Sequence, residues 1–343
     1  MAFVAEKRPR LRELDALRGI GALAVLVFHY STRFHDLFPR AAHVPFGFFS
    51  GNYRVLLFFA ISGFAIFFTL DRLERAADFV MNRASRLFPA YWVAILLTLS
   101  VEHLGHVSAL EVPPLAILAN FSMLEGFVFL PAVDGAYWTL TVEIGFYACM
   151  LGLWASPWRD RMEPVLLFWL ALKWLMVLWP GMPERIVMIL VLRYIPFFAI
   201  GMLFYRIWAG QRTARAQLPY FAVVLGTIAM LESRDILIAS LLLLAIFAAM
   251  LAGWLRFLCV QPLMWLGGIS YSLYLVHQHV GFVVMLKGSD WGIDPWIGFA
   301  AALAIALGLG TVLNRSVERP AQRAIEKWWK ARRGSSVSAR AGA

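Results

Sequence analysis

Apolar runs of roughly 20 residues recur along the chain, and each is about the length a helix needs to cross a ~30 Å hydrocarbon layer. Ten are marked out: 14–34, 54–70, 88–104, 136–155, 163–180, 186–208, 217–232, 235–254, 262–286 and 292–316. Lipid offers the backbone no hydrogen-bond partner, so a crossing segment must satisfy its own amides and carbonyls as a helix. The expected fold class is therefore all-α, a polytopic membrane helix bundle of about ten transmembrane helices with no separate soluble domain. One further apolar stretch, 112–131, is interrupted by Pro113, Pro114, Asn120 and Glu125. It reads as an outer loop with short interfacial or re-entrant helices.

Composition excludes a soluble alternative. Of 343 residues 61% are hydrophobic and 15% charged, where a soluble domain carries about a quarter charged residues. The 14 Trp and 27 Phe suit helix ends anchored at the water–lipid interface. Cys149 and Cys259 form no CxxC pattern, so neither a disulfide framework nor a metal site is expected. The basic N-terminus runs into an apolar segment too long for a cleaved signal, which reads as the first membrane helix.

Basic residues accumulate on the cytoplasmic side of membrane proteins. With the N-terminus inside, the inner segments hold 22 of the 31 Lys and Arg; the outer loops hold six: Arg33, Arg40, Arg54, Arg185, Arg234 and Lys287. Both termini then lie in the cytoplasm, as an even number of crossings requires. The chain divides into a basic N-terminal arm (1–13), a transmembrane domain (14–318) and a basic cytoplasmic tail (319–343) whose end is expected to be disordered. The net charge of +10 needs no nucleic acid. It belongs to the inner collar and to Lys327, Lys330, Arg332 and Arg333, which suit anionic membrane lipid.

Ionisable groups in apolar helices are costly, so each is a functional candidate. The first helix carries Asp15, Arg18 and His29. Eleven residues are about three helical turns, which puts Arg18 and His29 on one side, roughly 16 Å apart along the axis. Asp15, three residues before Arg18, is placed to pair with it. The plain alternative is a snorkelling arginine and a satisfied interhelical histidine.

The run LDALRGIGALAVLVFHY (14–30) resembles the first helix of the acyltransferase 3 family, membrane enzymes that acylate cell-surface sugars and some small molecules. That family is marked by a basic residue, ten residues, then His, which matches Arg18 and His29. FFAISGF (58–64), NRASRLFPAYW (82–92), YWTLTVEIGFY (137–147), LGGISYSLYLVHQ (266–278) and VERPAQR (317–323) follow in the family's order. The departures are Thr139 where Ser is usual, Ile144 where a second acid often follows Glu143, and Val276 in place of Trp before His277. None removes a reactive group.

The resemblance implies a membrane-bound O-acyltransferase that moves an acyl group, acetyl by default, from acyl-coenzyme A to a hydroxyl, without a metal. The acceptor is expected to be a cell-surface or lipid-linked saccharide, with an antibiotic-like small molecule as the alternative. The site would be bacterial inner membrane, and self-association is left open. His29 is the expected general base, since a neutral imidazole suits that task near neutral pH; transient acylation of His29 is the other route. Glu143, the one acid deep in its segment, would orient His29, contact the acceptor or form a structural ion pair. Arg18 joins the catalytic group and, with Arg83 and Arg86 one turn apart on the inner loop before the third helix, would grip the coenzyme phosphates. Tyr271, Tyr274 and His277 fall at i, i+3 and i+6 and would line a substrate cavity with Asp15, Trp138 and Tyr147. Ser62–Gly63 reads as close helix packing. A transporter is the main rival class, but the inverted repeats it favours are absent from the sequence.

Overall fold

The computed structural model describes residues 11–48 and 54–341. The basic arm to residue 10 lies outside the described residues. Twelve helices carry the architecture: α1 Arg12–Phe28, α2 Arg54–Leu70, α3 Ala76–Gly105, α4 Trp138–Ala155, α5 Met162–Leu178, α6 Ile195–Trp208, α7 Ala214–Leu231, α8 Arg234–Leu251, α9 Gln261–Val276, α10 Gln278–Asp290, α11 Pro295–Leu313 and α12 Arg319–Ala341. No strand occurs among the described residues. Each of the ten expected stretches contains a helix, and the class is an all-α membrane protein. Six helical spans are long and apolar enough to cross a bilayer, seven if the bent pair α9–α10 counts as one; α2 and α6 are shorter apolar helices.

The chain divides into two compact units. The first comprises 11–24, 54–72 and Val142–Gly268; the second comprises 25–48, Leu73–Thr141 and the chain from Ile269.

In the first unit α2 lies directly against α6. A Cβ on Gly63 would stand 2.2 Å from the Phe198 carbonyl oxygen, and one on Gly201 1.8 Å from that of Ala60. Only glycine lets the two backbones approach this closely, the small-residue packing that replaces hydrophobic attraction between helices in lipid. Phe198 then stacks on Phe146 of α4 with ring centroids 3.9 Å apart. Two buried charges find partners across the unit. Lys173 on α5 bonds Glu232 at 2.7 Å and the Arg193 carbonyl at 3.0 Å. Glu163 accepts from Arg206, Arg212 and Gln217. Without such partners either charge would be prohibitively costly in lipid.

The stretch 186–208, expected as one crossing, is broken. A short helix Glu184–Ile189 precedes α6, with Val191 between them in the left-handed region (φ 46°). Pro196 in the first turn of α6 has no amide to bond back and crowds the preceding turn, which favours a helix start at this point. The carbonyls freed by the break are taken by side chains: Trp169 donates to Leu190 O at 2.6 Å and Lys173 to Arg193 O.

In the second unit α10 packs on α11 and α12 on α3. α3 starts at Ala76, well before the expected 88, because the inner segment continues the helix rather than looping. Asp78 in its first turn accepts from Trp329 and Arg333 of α12, at 2.8 and 2.9 Å. Glu318 accepts from Ser272 and Asn314, holding the π turn Asn314–Glu318 between α11 and α12. The backbone stays helical to Ala341, beyond Gly334, where the sequence suggests irregular chain. The 112–131 stretch forms the short helices Pro114–Asn120 and Glu125–Val128, as its prolines imply.

Candidate active site

His29 opens a π turn, His29–Arg33, at the end of α1. One wide turn in an α-helix shifts the register of everything after it, a device common where a side chain must be aimed. His277 sits at the 67° bend between α9 and α10. Bending a helix frees carbonyls, and here side chains take them. Tyr137 donates to Leu275 O at 2.8 Å, Tyr30 to His277 O at 2.6 Å, and the His277 ring to Tyr274 O at 2.7 Å.

The two histidines meet. Their rings lie 4.8 Å apart, edge to face, with His277 Nε2 3.2 Å from His29 Nδ1. A carbonyl oxygen only accepts, so a bond to one places a proton on the imidazole nitrogen that makes it. His29 Nδ1 donates to Val25 O at 2.8 Å, and His277 Nδ1 donates to Tyr274 O. In both neutral rings the lone pair therefore belongs to Nε2. His277 Nε2 accepts a second branch of the His29 N–H. The basic atom of the pair is His29 Nε2.

The other expected residues of this unit are placed less uniformly. Tyr274 bonds Thr139 at 2.6 Å and the Ala136 carbonyl, tying α9 to the start of α4, where Trp138 is half-buried. Tyr271 donates to Leu87 O at 2.8 Å. Those hydroxyls hold helices together, so of the Tyr271–Tyr274–His277 stripe the histidine meets the other candidate base. Arg83 and Arg86 lie on α3 itself, not on a loop before it. Arg83 is buried with its guanidinium 5.5 Å over the Phe79 ring, and Arg86 is half-buried one turn on.

In the first unit Asp15 and Arg18 pair at 3.5 Å. Glu143 accepts from Ser62 at 3.2 Å and from Tyr147, one turn along α4. Ser62 is therefore a carboxylate partner as well as a neighbour of the Gly63 contact. Among the described residues no group of three His, Cys, Asp or Glu side chains is arranged to hold a metal ion.

Sequence reasoning missed a second buried polar group. His279 is buried, with Nδ1 on Glu102 of α3 and its backbone amide on Asp134 at 3.0 Å. Asp134 also accepts from Ala136 N at 2.8 Å. It thus caps α10 and fixes the loop before α4, next to the bend that carries His277. Nothing local in the sequence pairs residues 102, 134 and 279.

Glu125, in the connection between α3 and α4, is buried too. Its Oε1 accepts from Thr141 at 3.3 Å, while Oε2 has no hydrogen-bond partner among the described residues. Burial pushes this carboxyl above the usual carboxylate range, against the pull of its own backbone amide and Thr141. A raised folded pKa means that the group's contribution to stability is complete below the unfolded value, about 4.3, and disappears as pH rises through the folded one. Glu125→Gln therefore raises the melting temperature near neutral pH, and its advantage shrinks toward acid. Thermal unfolding in detergent over roughly pH 4 to 8 checks this. An advantage independent of pH would remove the carboxyl as its cause.

The arrangement of two coupled imidazoles in a lipid-embedded bundle coincides with a family match over nearly the whole chain. A family model described as an acyltransferase domain matches residues 11–315. The chain belongs to the acyltransferase 3 family. It is a membrane O-acyltransferase that takes an acyl group from a donor. The exopolysaccharide production protein ExoZ of Rhizobium meliloti (strain 1021) is 28% identical over 310 residues, covering 83% of this chain and 93% of that protein. An O-acetyl transferase of Shigella phage Sf6 is 27% identical over 146 residues, 39% of this chain and 43% of its own length. Nodulation protein 10 of Rhizobium leguminosarum bv. viciae is 29% identical over 163 residues, 42% and 44% of the two chains. No solved structure matches.

Proposed function

We propose that this O-acyltransferase moves an acetyl group from acetyl-coenzyme A to a hydroxyl of a cell-surface or lipid-linked saccharide, with His29 as general base. The observation that carries the reading is the His29–His277 contact, in which both Nδ1–H groups are held by carbonyls and the lone pair of His29 falls on Nε2. That nitrogen takes the proton from the acceptor hydroxyl as its oxygen attacks the thioester carbonyl. The C–O bond forms, the C–S bond breaks, and the imidazolium returns its proton to the departing thiolate. The Val25 carbonyl holds the His29 ring in this tautomer, and His277 Nε2, as second acceptor of the same N–H, orients the ring, a positioning role.

The coenzyme's phosphates call for guanidinium groups, whose planar fork matches phosphate oxygens. Arg83, Arg86 and Arg18 are assigned to them. By the family resemblance Glu143 keeps a proposed catalytic part, orienting the base or contacting the acceptor, and Asp15, Trp138 and Tyr147 are proposed as residues that meet the substrates. The saccharide acceptor is suggested by the relative named for exopolysaccharide production, and acetyl by the relative named an O-acetyl transferase. The distribution of Lys and Arg supports an inner-membrane protein with both termini in the cytoplasm.

Mass spectrometry of extracellular and lipid-linked glycans from cells with and without the protein tests the proposal. An acetyl-sized mass on one sugar, present only with the protein, is the expected result. Unchanged glycans, together with failure of the membranes to transfer label from radiolabelled acetyl-coenzyme A to them, would refute it.

A further inference from the structure

The first unit contains a cavity of about 680 Å³ between α4 and α5 that the proposed chemistry does not use. Cys149 and Gly152 of α4 and Phe168 and Leu172 of α5 line it, together with Trp158 and Leu190. Its lining is almost wholly apolar. A Cβ added to Gly152 would meet nothing within 4 Å, so this glycine opens onto empty space rather than onto a helix contact.

Its length selects the occupant. The wall on α5 runs from Pro164 to Leu172, eight residues or about 12 Å at the helical rise. One leaflet of a ~30 Å hydrocarbon layer is about 15 Å deep. A membrane helix would need the full thickness, whereas one acyl chain of a single leaflet fits. The turn that carries Trp158 has the matching chemistry. Trp158 is the kind of aromatic that sits at headgroup level, and Arg161 lies with its guanidinium 5.5 Å over that ring. Arg159 adds a second cation, offset in part by Asp160 at 3.7 Å. The turn 156–161, which contributes Ser156 and Trp158 to the lining, therefore carries net positive charge.

We propose that the α4–α5 cavity is a binding site for one anionic phospholipid, with an acyl chain along Gly152 and Phe168 and its phosphate at Arg159 and Arg161. The chain removes apolar wall from voids that protein does not fill, and the phosphate gains two guanidinium partners at the membrane surface. The site lies within one compact unit and uses none of the residues assigned to acyl transfer, so its occupancy is tested independently of that reading.

Native mass spectrometry of the full chain, released from micelles containing equal phosphatidylglycerol and phosphatidylethanolamine, reads it directly. The parent protein should retain phosphatidylglycerol in preference. Gly152→Trp, whose Cβ meets nothing within 4 Å and whose ring takes up lining space, should lower lipid occupancy about tenfold with its melting temperature kept. The double substitution R159Q/R161Q should keep a lipid but lose the preference for phosphatidylglycerol. Equal occupancy in Gly152→Trp, or a preference that survives the double substitution, would overturn the proposal. So would displacement of phosphatidylglycerol by an equal amount of isoprenyl phosphate, which would assign the cavity to a carrier lipid.

Discussion

His29→Ala abolishes transfer of radiolabelled acetyl from acetyl-coenzyme A to isolated glycan, by about 10²–10⁴-fold in turnover, while the protein still inserts and purifies. The substitution removes the Nε2 lone pair that receives the hydroxyl proton. It also removes the N–H shared by Val25 O and His277 Nε2, but α1 and the π turn keep their backbone bonds. His277→Ala acts differently. It leaves His29 Nε2 and the Val25 carbonyl in place and removes only the second acceptor of the His29 N–H. The expected loss in turnover is smaller, and the pH–rate profile shifts because the second imidazole no longer interacts with the first. The Michaelis constant for acetyl-coenzyme A should hold in both variants, since neither histidine is assigned to the phosphates. Arg83→Ala should show the reverse pattern, with a raised Michaelis constant. Full turnover in His29→Ala would end the general-base reading. Release of one equivalent of free coenzyme from the parent without acceptor would favour the acyl-histidine route instead.

The helices were legible in the sequence because hydrocarbon thickness sets their length and the cost of exposed backbone sets their conformation. The interruptions were legible only where a proline marked them, as at Pro113 and Pro114. The break before α6 also depends on Pro196, but the segment's apolar character hid it. The bend at His277 had no local signal at all. It is stabilised by hydroxyls of Tyr30, in the π turn after α1, and Tyr137, in the turn before α4, both far away in sequence. The same limit applies to the site. Spacing could nominate His29 and His277 separately, yet their contact joins positions 248 residues apart. A helical face also could not reveal that Tyr271 and Tyr274 spend their hydroxyls on Leu87 and Ala136 carbonyls. Glu102 and His279 escaped for a related reason. They lie 177 residues apart, and only the folded unit makes them a buried pair.

The second large effect concerns folding rather than chemistry. Gly201→Ala should lower the melting temperature sharply, and Gly201→Leu should leave little monodisperse protein. The new Cβ would lie 1.8 Å from Ala60 O and 2.8 Å from Phe64 N, both backbone atoms of α2, so no side-chain rotation relieves the clash. α2 and α6 would have to separate. That loosens the Phe59–Phe198 contact at 4.9 Å and the Gly63 crossing beside it, and overpacking of this kind costs about 1–3 kcal/mol or more. Gly152→Ala is the matched control on α4. It adds the same methyl to the same kind of helix but meets nothing within 4 Å. Relief of glycine's conformational freedom should there stabilise by roughly 0.5–1 kcal/mol. One chemical change thus has opposite signs at two positions, and differential scanning fluorimetry in one detergent compares them directly. Equal melting temperatures for Gly201→Ala and the parent would mean that α2 and α6 do not touch backbone to backbone.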